Sequence, residues 1–189
     1  MTPPSDQESS PALGSYPWFA VRVRSNREHT VSLQLRERGF EQFSPSYKVD
    51  HQWSDRKKVT EKFLFPGYVF CRVNPNDRLP LLIVPGVVDL ISFGHTPAPI
   101  PDIEIERVRM MVRSGLPVAP WPYLQLGDRV LIERGPLAGL EGILQRTKGK
   151  YRLVVSLNLL QRSVSAEVER DWIRPIPHSL SQNPDGAGH

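Results

Sequence analysis

Cysteine is all but missing from this chain, and Cys71 is the only one. That excludes an intramolecular disulfide and any multi-cysteine zinc site, and it fits a reducing compartment. Long apolar runs are missing too, since no stretch approaches the length of a membrane span, so a soluble, cytoplasmic chain without membrane contact is expected. Met1 to Ser15 is rich in Pro and Ser, carries Asp6 and Glu8, and lacks the basic and apolar regions of a secretory signal. The five histidines, His29, His51, His95, His178 and His189, form no metal-ligand spacing, and no Gly-rich phosphate loop follows a strand. Cys71 sits in the apolar run Tyr68-Val69-Phe70-Cys71-Arg72-Val73 and reads as a small buried hydrophobe rather than a nucleophile. No catalytic residue, cofactor or metal is therefore expected. Strong charge of one sign is lacking as well: 24 Lys and Arg face 20 Asp and Glu, a net charge of +4. Such a balance is too mild for wrapping duplex DNA, yet it permits a polyanionic partner.

What is present predicts two small folded units. Trp18 to Arg24 alternates with apolar residues on both faces, Trp18 and Ala20 on one and Phe19, Val21 and Val23 on the other, which marks a central strand. Ser25 with Glu28 forms a capping-box pattern, Val31 and Leu35 lie one turn apart, and Gly39 is a natural stop, so a helix is predicted from Arg27 to Arg38. Further strands are expected near 43–53, 61–65, 68–73 and 87–93, with a short helix near 78–84. A third helix follows Pro101-Asp102, with Ile105, Val108, Met111 and Val112 on one face and Gly115 at its end. Strands first and last with helices between make an α+β sandwich. Leu116 to Tyr123 then carries Pro117, Pro120 and Pro122, the composition of an extended, semi-rigid linker. The boundaries expected are a disordered tail over 1–15, a first domain over 16–115, a linker over 116–124, a second domain over 125–177 and a disordered tail over 178–189.

The second unit has the most distinctive sequence. Leu126-Gly127-Asp128-Arg129-Val130-Leu131-Ile132 precedes Gly135-Pro136-Leu137-Ala138-Gly139-Leu140-Glu141-Gly142, and a strand-rich run ends at Trp172-Ile173-Arg174-Pro175-Ile176. An alternating strand followed by a turn with Gly and Pro at fixed places is the pattern of a small closed barrel. Order and spacing resemble a KOW motif, the nucleus of an SH3-like β-barrel. Five more segments stand in order before it: Trp18-Phe19-Ala20-Val21, Leu35-Arg36-Glu37, Phe65-Pro66-Gly67-Tyr68-Val69, Pro85-Gly86-Val87-Val88 and Pro97-Ala98-Pro99-Ile100-Pro101-Asp102. Together they resemble the NusG family over residues 16 to 177. Trp53-Ser54-Asp55-Arg56, Gly139-Leu140-Glu141-Gly142 and Leu159-Leu160-Gln161-Arg162-Ser163-Val164 look most like its specialised, operon-directed UpxY and RfaH paralogues.

The resemblance implies an N-terminal NGN α/β sandwich, with an antiparallel sheet flanked by helices, and a C-terminal KOW barrel in a monomeric, non-enzymatic transcription elongation and antitermination factor. It implies that the first domain binds the clamp helices of RNA polymerase, with Trp18, Phe19, Phe65, Pro66 and Tyr68 at the matching positions. Aromatic side chains give large contact area for little lost rotamer entropy, but the same residues equally suit the domain core. The resemblance also places Arg22, Arg24, Asn26, Arg27 and His29 beside single-stranded non-template DNA, where Arg stacking and phosphate pairing are effective; a solvated helix start is the plain alternative. Leu137, Leu159, Leu160 and Arg162 match positions used to bind a small-subunit ribosomal protein or the Rho termination factor, and each Leu is equally suited to barrel core. Asn76-Asp77-Arg78-Leu79 stands where RfaH-type members carry a His-Thr-Thr element contacting polymerase, so that contact is not expected.

Two other readings bear on the barrel. Leu157, Leu160, Val164 and Val168 recur at helical spacing, but the β-branched residues and the alternation of Val164, Ala166 and Val168 favour strand over a helical refolding. Lys148, Lys150 and Arg152 give the barrel a basic edge suited to RNA, which supports the rival reading of a ribosome- or RNA-associated KOW protein in translation. The Phe65-Pro66-Gly67-Tyr68 segment argues for the transcription reading.

Overall fold

Strand β1 (Trp18–Val23) organises the N-terminal half of the computed structural model, which describes residues 16–52, 57–125 and 127–176. The expected tails at 1–15 and 178–189, the Trp53–Arg56 segment and the side chains of Lys57 and Lys58 lie outside the described residues. After β1 come α1 (Glu28–Glu37), β2 (Gln42–Phe43), β3 (Ser46–Gln52), β4 (Lys57–Phe63), β5 (Tyr68–Arg72), α2 (Leu79–Leu82) and β6 (Val87–Leu90). Short strands β7 (Ser92–Phe93), β8 (Thr96–Pro97) and β9 (Pro99–Ile100) lead into α3 (Asp102–Arg113).

The predicted alternation of β1 decides the layering. It pairs antiparallel with β5 on one side and with β6 and β9 on the other. Phe19, Val21 and Val23 pack with Val31 and Leu35 of α1, whereas Trp18 and Ala20 join the cluster holding Ile105, Val108 and Met111 of α3. Helices thus cover both faces of one antiparallel sheet, and each fully buried aliphatic or aromatic side chain contributes about 1.5–3 kcal/mol. Beside this sheet, β3 and β4 form a separate two-stranded hairpin.

The C-terminal half is a six-stranded antiparallel sheet of the barrel type, with β10 (Val118–Trp121), β11 (Asp128–Ile132), β12 (Glu141–Thr147), β13 (Lys150–Leu157), β14 (Arg162–Val168) and β15 (Ile173–Pro175). Its order is β10-β14-β13-β12-β11-β15. Gly142 belongs to a close approach: a Cβ there would lie 2.7 Å from the Val154 carbonyl oxygen. The segment read as a linker is extended, as its prolines dictate, but residues 118–121 also pair with β14, Val118 opposite Ala166 and Trp121 opposite Ser163. Pairing is possible because Pro120 occupies an edge strand, where a missing N–H costs little.

Candidate functional site

The turn between β4 and β5 carries the residues expected to face polymerase. Phe65 is 1% exposed and meets Phe70 edge-on, with ring centroids 5.3 Å apart. Gly67, at φ 85°, lets the chain reverse, and the Tyr68 N–H bonds the Phe65 carbonyl at 3.1 Å. Two longer-range bonds pin this turn: the Val23 N–H donates to the Gly67 carbonyl at 2.9 Å, and the Gly67 N–H donates to Glu28 Oε1 at 2.8 Å.

Glu28 corrects the capping-box expectation. The N-cap residue of α1 is Arg27, with no side-chain cap, and Glu28 turns away to hold the β4–β5 turn. Its carboxylate is 5% exposed, and the amide N–H supplies the charge-assisted bond that a buried carboxylate needs. Its place in the first helical turn, near the positive end of the helix dipole, favours it further.

The outer side of the turn is closed by the C-terminal half. Arg162 Nη1 donates to the Pro66 carbonyl at 3.2 Å, and the guanidinium lies 5.1 Å from the centroid of the Tyr68 ring. At a second point Asn158, in the β13–β14 turn, donates through its backbone N–H to Glu104 Oε2 at 3.2 Å and through Nδ2 to Oε1 at 2.8 Å. Glu104, on the buried face of α3, is only 7% exposed. Between these polar anchors Tyr68, Phe65, Ile105, Leu157, Leu159 and Leu160 belong to one continuous apolar cluster spanning both halves. Two sets of residues assigned separately from sequence, one for polymerase and one for a barrel partner, therefore meet across a single seam.

Individual placements differ within each set. Trp18 is 0% exposed and Phe19 2%, so both side chains are core in this arrangement. The Trp18 ring has Arg72 and Arg109 guanidinia 4.9 and 5.4 Å from its centroid. Pro66 is exposed, and Tyr68 is half-buried under Arg162. Leu137 is fully buried in the barrel, whereas Leu159 and Leu160 are half-buried at the seam. Arg24, Asn26, Arg27 and His29 are all exposed where β1 passes into α1, and Asn26 adopts φ 62° to make that corner. Arg22 differs from its neighbours, because a two-pronged pair with Asp89, at 3.0 and 2.7 Å, already occupies its guanidinium. Glu104 and Asn158 escaped sequence reasoning; a carboxylate one turn before Val108 on an apolar helix face was the available signal.

Among the described residues, no group of three or more His, Cys, Asp or Glu side chains is placed to hold a metal ion. Burial, and after it the nearby Glu41 carboxylate, pushes the Cys71 thiol up to about 12, so it carries no nucleophilic thiolate near neutrality. Among the described residues no helix is long and apolar enough to cross a membrane.

Comparison with known proteins agrees with this geometry. Residues 16–109 match the family model described as transcription termination factor nusG. The chain is 29% identical over 167 residues to the transcription termination/antitermination protein NusG of Vibrio vulnificus, covering 80% of this chain and 91% of that one. It is 28% identical over 173 residues to the protein of the same name from Pseudomonas aeruginosa, covering 84% and 98%. A solved structure described as the domain interaction in Thermotoga maritima NusG aligns with a TM-score of 0.51 over 88% of this chain and 100% of that chain, at 21% identity, a likeness of fold. With the family's domain over the N-terminal half and NusG relatives matching most of its length, the chain belongs to the NusG family.

Proposed function

We propose that this protein is a non-catalytic transcription elongation and antitermination factor whose N-terminal half binds RNA polymerase. The observation that carries the reading most directly is the β4–β5 turn: a rigid corner, pinned by Glu28, that presents exposed Pro66 and the ring of Tyr68. Phe65 and Trp18 support this surface from behind within one core cluster, and Phe19 backs β1 from its other face, against α1. The clamp helices of polymerase suit it, because an apolar hollow with aromatic walls accepts a helix. Tyr68 then has two competing occupants, the clamp and the seam with Arg162, and polymerase binding requires the halves to part. The exposed Arg24, Asn26, Arg27 and His29 take the single-stranded non-template DNA of the bubble, and Arg22 contributes less because Asp89 neutralises it. The parted barrel frees Leu159, Leu160 and Arg162 for a ribosomal protein or Rho, and Leu137 supports them from the core. Operon-directed action, as in the UpxY and RfaH paralogues, is compatible with this scheme, without the polymerase contact that a His-Thr-Thr element makes.

The test is binding of the purified chain to core RNA polymerase and to an isolated clamp-helix fragment. Tyr68→Ala is expected to weaken both by about tenfold or more while leaving the thermal midpoint within a few degrees. Unchanged binding removes this turn from the interface. Arg24→Ala with Arg27→Ala is expected to reduce pause suppression and to lower its salt sensitivity, and a variant matching the parent removes the DNA role.

A further inference from the structure

The β12–β13 hairpin carries a different surface, unconnected with the seam. Arg146, Lys148, Lys150 and Arg152 fall within seven residues around its tip, and Arg146, Lys148 and Lys150 are exposed. Glu167 is the one carboxylate that pairs with them among the described residues, reaching Lys150 at 2.7 Å and Arg152 at 3.8 Å. Among the described residues Arg146 and Lys148 make no ion pair. Two aromatic rings stand beneath the cations: the Arg146 guanidinium lies 5.4 Å from the Tyr151 centroid, and that of Arg152 lies 5.6 Å from the centroid of Trp121 on β10. A planar guanidinium held over a ring has its other face open to a base, and the lysines beside it suit the phosphates. The two-residue turn adds a second observation. Lys148 and Gly149 both have positive φ, 49° and 79°, the backbone of a primed hairpin turn. Asn or Gly would relax at the first of these positions; a lysine there holds its ammonium at the apex of the hairpin at a conformational cost.

We propose that this hairpin binds single-stranded RNA, with Lys148 and Lys150 on phosphates at its apex and one stacking platform on each face, the exposed Arg146 over Tyr151 on one and the half-buried Arg152 over Trp121 on the other. Pairing of bases in a duplex would withhold the faces these platforms use, which favours a single strand. The choice of RNA rests on the transcription reading. The Arg24–Arg27 surface adjoins the Gly67 turn and therefore the seam, to which β13 is joined at its Leu157 end. The hairpin tip lies at the opposite end of β13, a separation of roughly 23 Å at about 3.3 Å per residue. Once polymerase parts the halves the two surfaces travel on separate bodies and are free to serve two different strands, and the DNA strand already has its surface.

The test uses the full chain and fluorescent 12-nucleotide probes: single-stranded RNA, DNA of the same sequence, and the RNA duplex. Parent protein is expected to bind the single-stranded RNA in preference to the duplex, with log affinity falling against log salt by about 0.7 per phosphate contacted, while the DNA probe reports the Arg24–Arg27 surface. Arg146→Gln with Lys148→Asn removes two charges without straining the turn, and is expected to weaken RNA binding at least tenfold and flatten that salt dependence. Arg174→Ala, which removes an exposed cation from β15, is expected to leave RNA binding unchanged. No RNA binding by the parent, equal or tighter binding of the duplex, a double variant that matches the parent on RNA or loses DNA binding as strongly as RNA binding, or an equal loss in Arg174→Ala overturns the proposal. Core polymerase retention is measured on the same preparations: retention without RNA binding sinks the hairpin site alone, whereas RNA binding without retention supports the hairpin site and sinks the polymerase reading.

Discussion

Cys71 has a titration that stability measurements can read. Its folded thiol is raised from an ordinary value of 9.0 to about 12, with burial the larger cause and Glu41 the smaller. Between those values the unfolded chain releases a proton that the folded chain keeps, so unfolding free energy is expected to fall as pH rises from 9 to 12. Denaturant titrations should show this slope diminished in Cys71→Ala after allowance for the cavity, and thiol alkylation at pH 8 should be negligible until denaturant is added. Gly142 offers a steric counterpart. The Cβ of Gly142→Ala would stand 2.7 Å from a backbone oxygen and 2.9 Å from Leu153 Cδ1, so a loss of about 1–3 kcal/mol is expected in a denaturant midpoint. At this scale the sequence was legible where neighbours were local. The two faces of β1 could be read because alternation encodes both, and Cys71 because its whole strand is apolar. Leu137 could not be assigned to core or surface, since exposure depends on strands paired far along the chain.

Among the elements, α3 and the β13–β14 turn form the joint on which the seam depends. Glu104→Ala removes both acceptors of the exposed Asn158 and should shift the closed arrangement toward the open one by about 0.5–1.5 kcal/mol, the net worth of hydrogen bonds whose donors can turn to water. Amide hydrogen exchange at Tyr68 and Val69 is the readout, and unchanged protection would show that the joint does not hold the seam. Helix positions were readable from periodicity, with α1 and α3 within a residue or two of expectation. Their ends were less so: Ser25 and Glu28 satisfy a local pattern, but a distant amide, that of Gly67, competes successfully for the carboxylate. The strand character of residues 118–121 was hidden for the same reason, because prolines announce extended backbone but not the partner it lies beside.

For the molecule as a whole, closure and the proposed polymerase binding draw on the same face of Tyr68. Arg162→Ala removes a cation from that ring and a bond from Pro66, and is expected to tighten polymerase binding by several-fold, up to about tenfold for 1.4 kcal/mol, because less of the chain is held in the competing state. Weaker binding would instead make Arg162 part of the polymerase interface. The ordered motifs made the family and both halves legible; their meeting was not, because neither half's sequence refers to the other.

With β10 zipped onto β14, only residues 114–117 separate the end of α3 from the barrel. Four residues span at most about 14 Å, so parted halves stay within a tether's reach of each other, at an effective concentration in the millimolar range. Diluting the protein a thousandfold leaves that figure untouched. The opening proposed above is thus a matter of competition rather than of abundance: a partner must displace a neighbour that never diffuses away, and when the partner leaves, the chain resets itself.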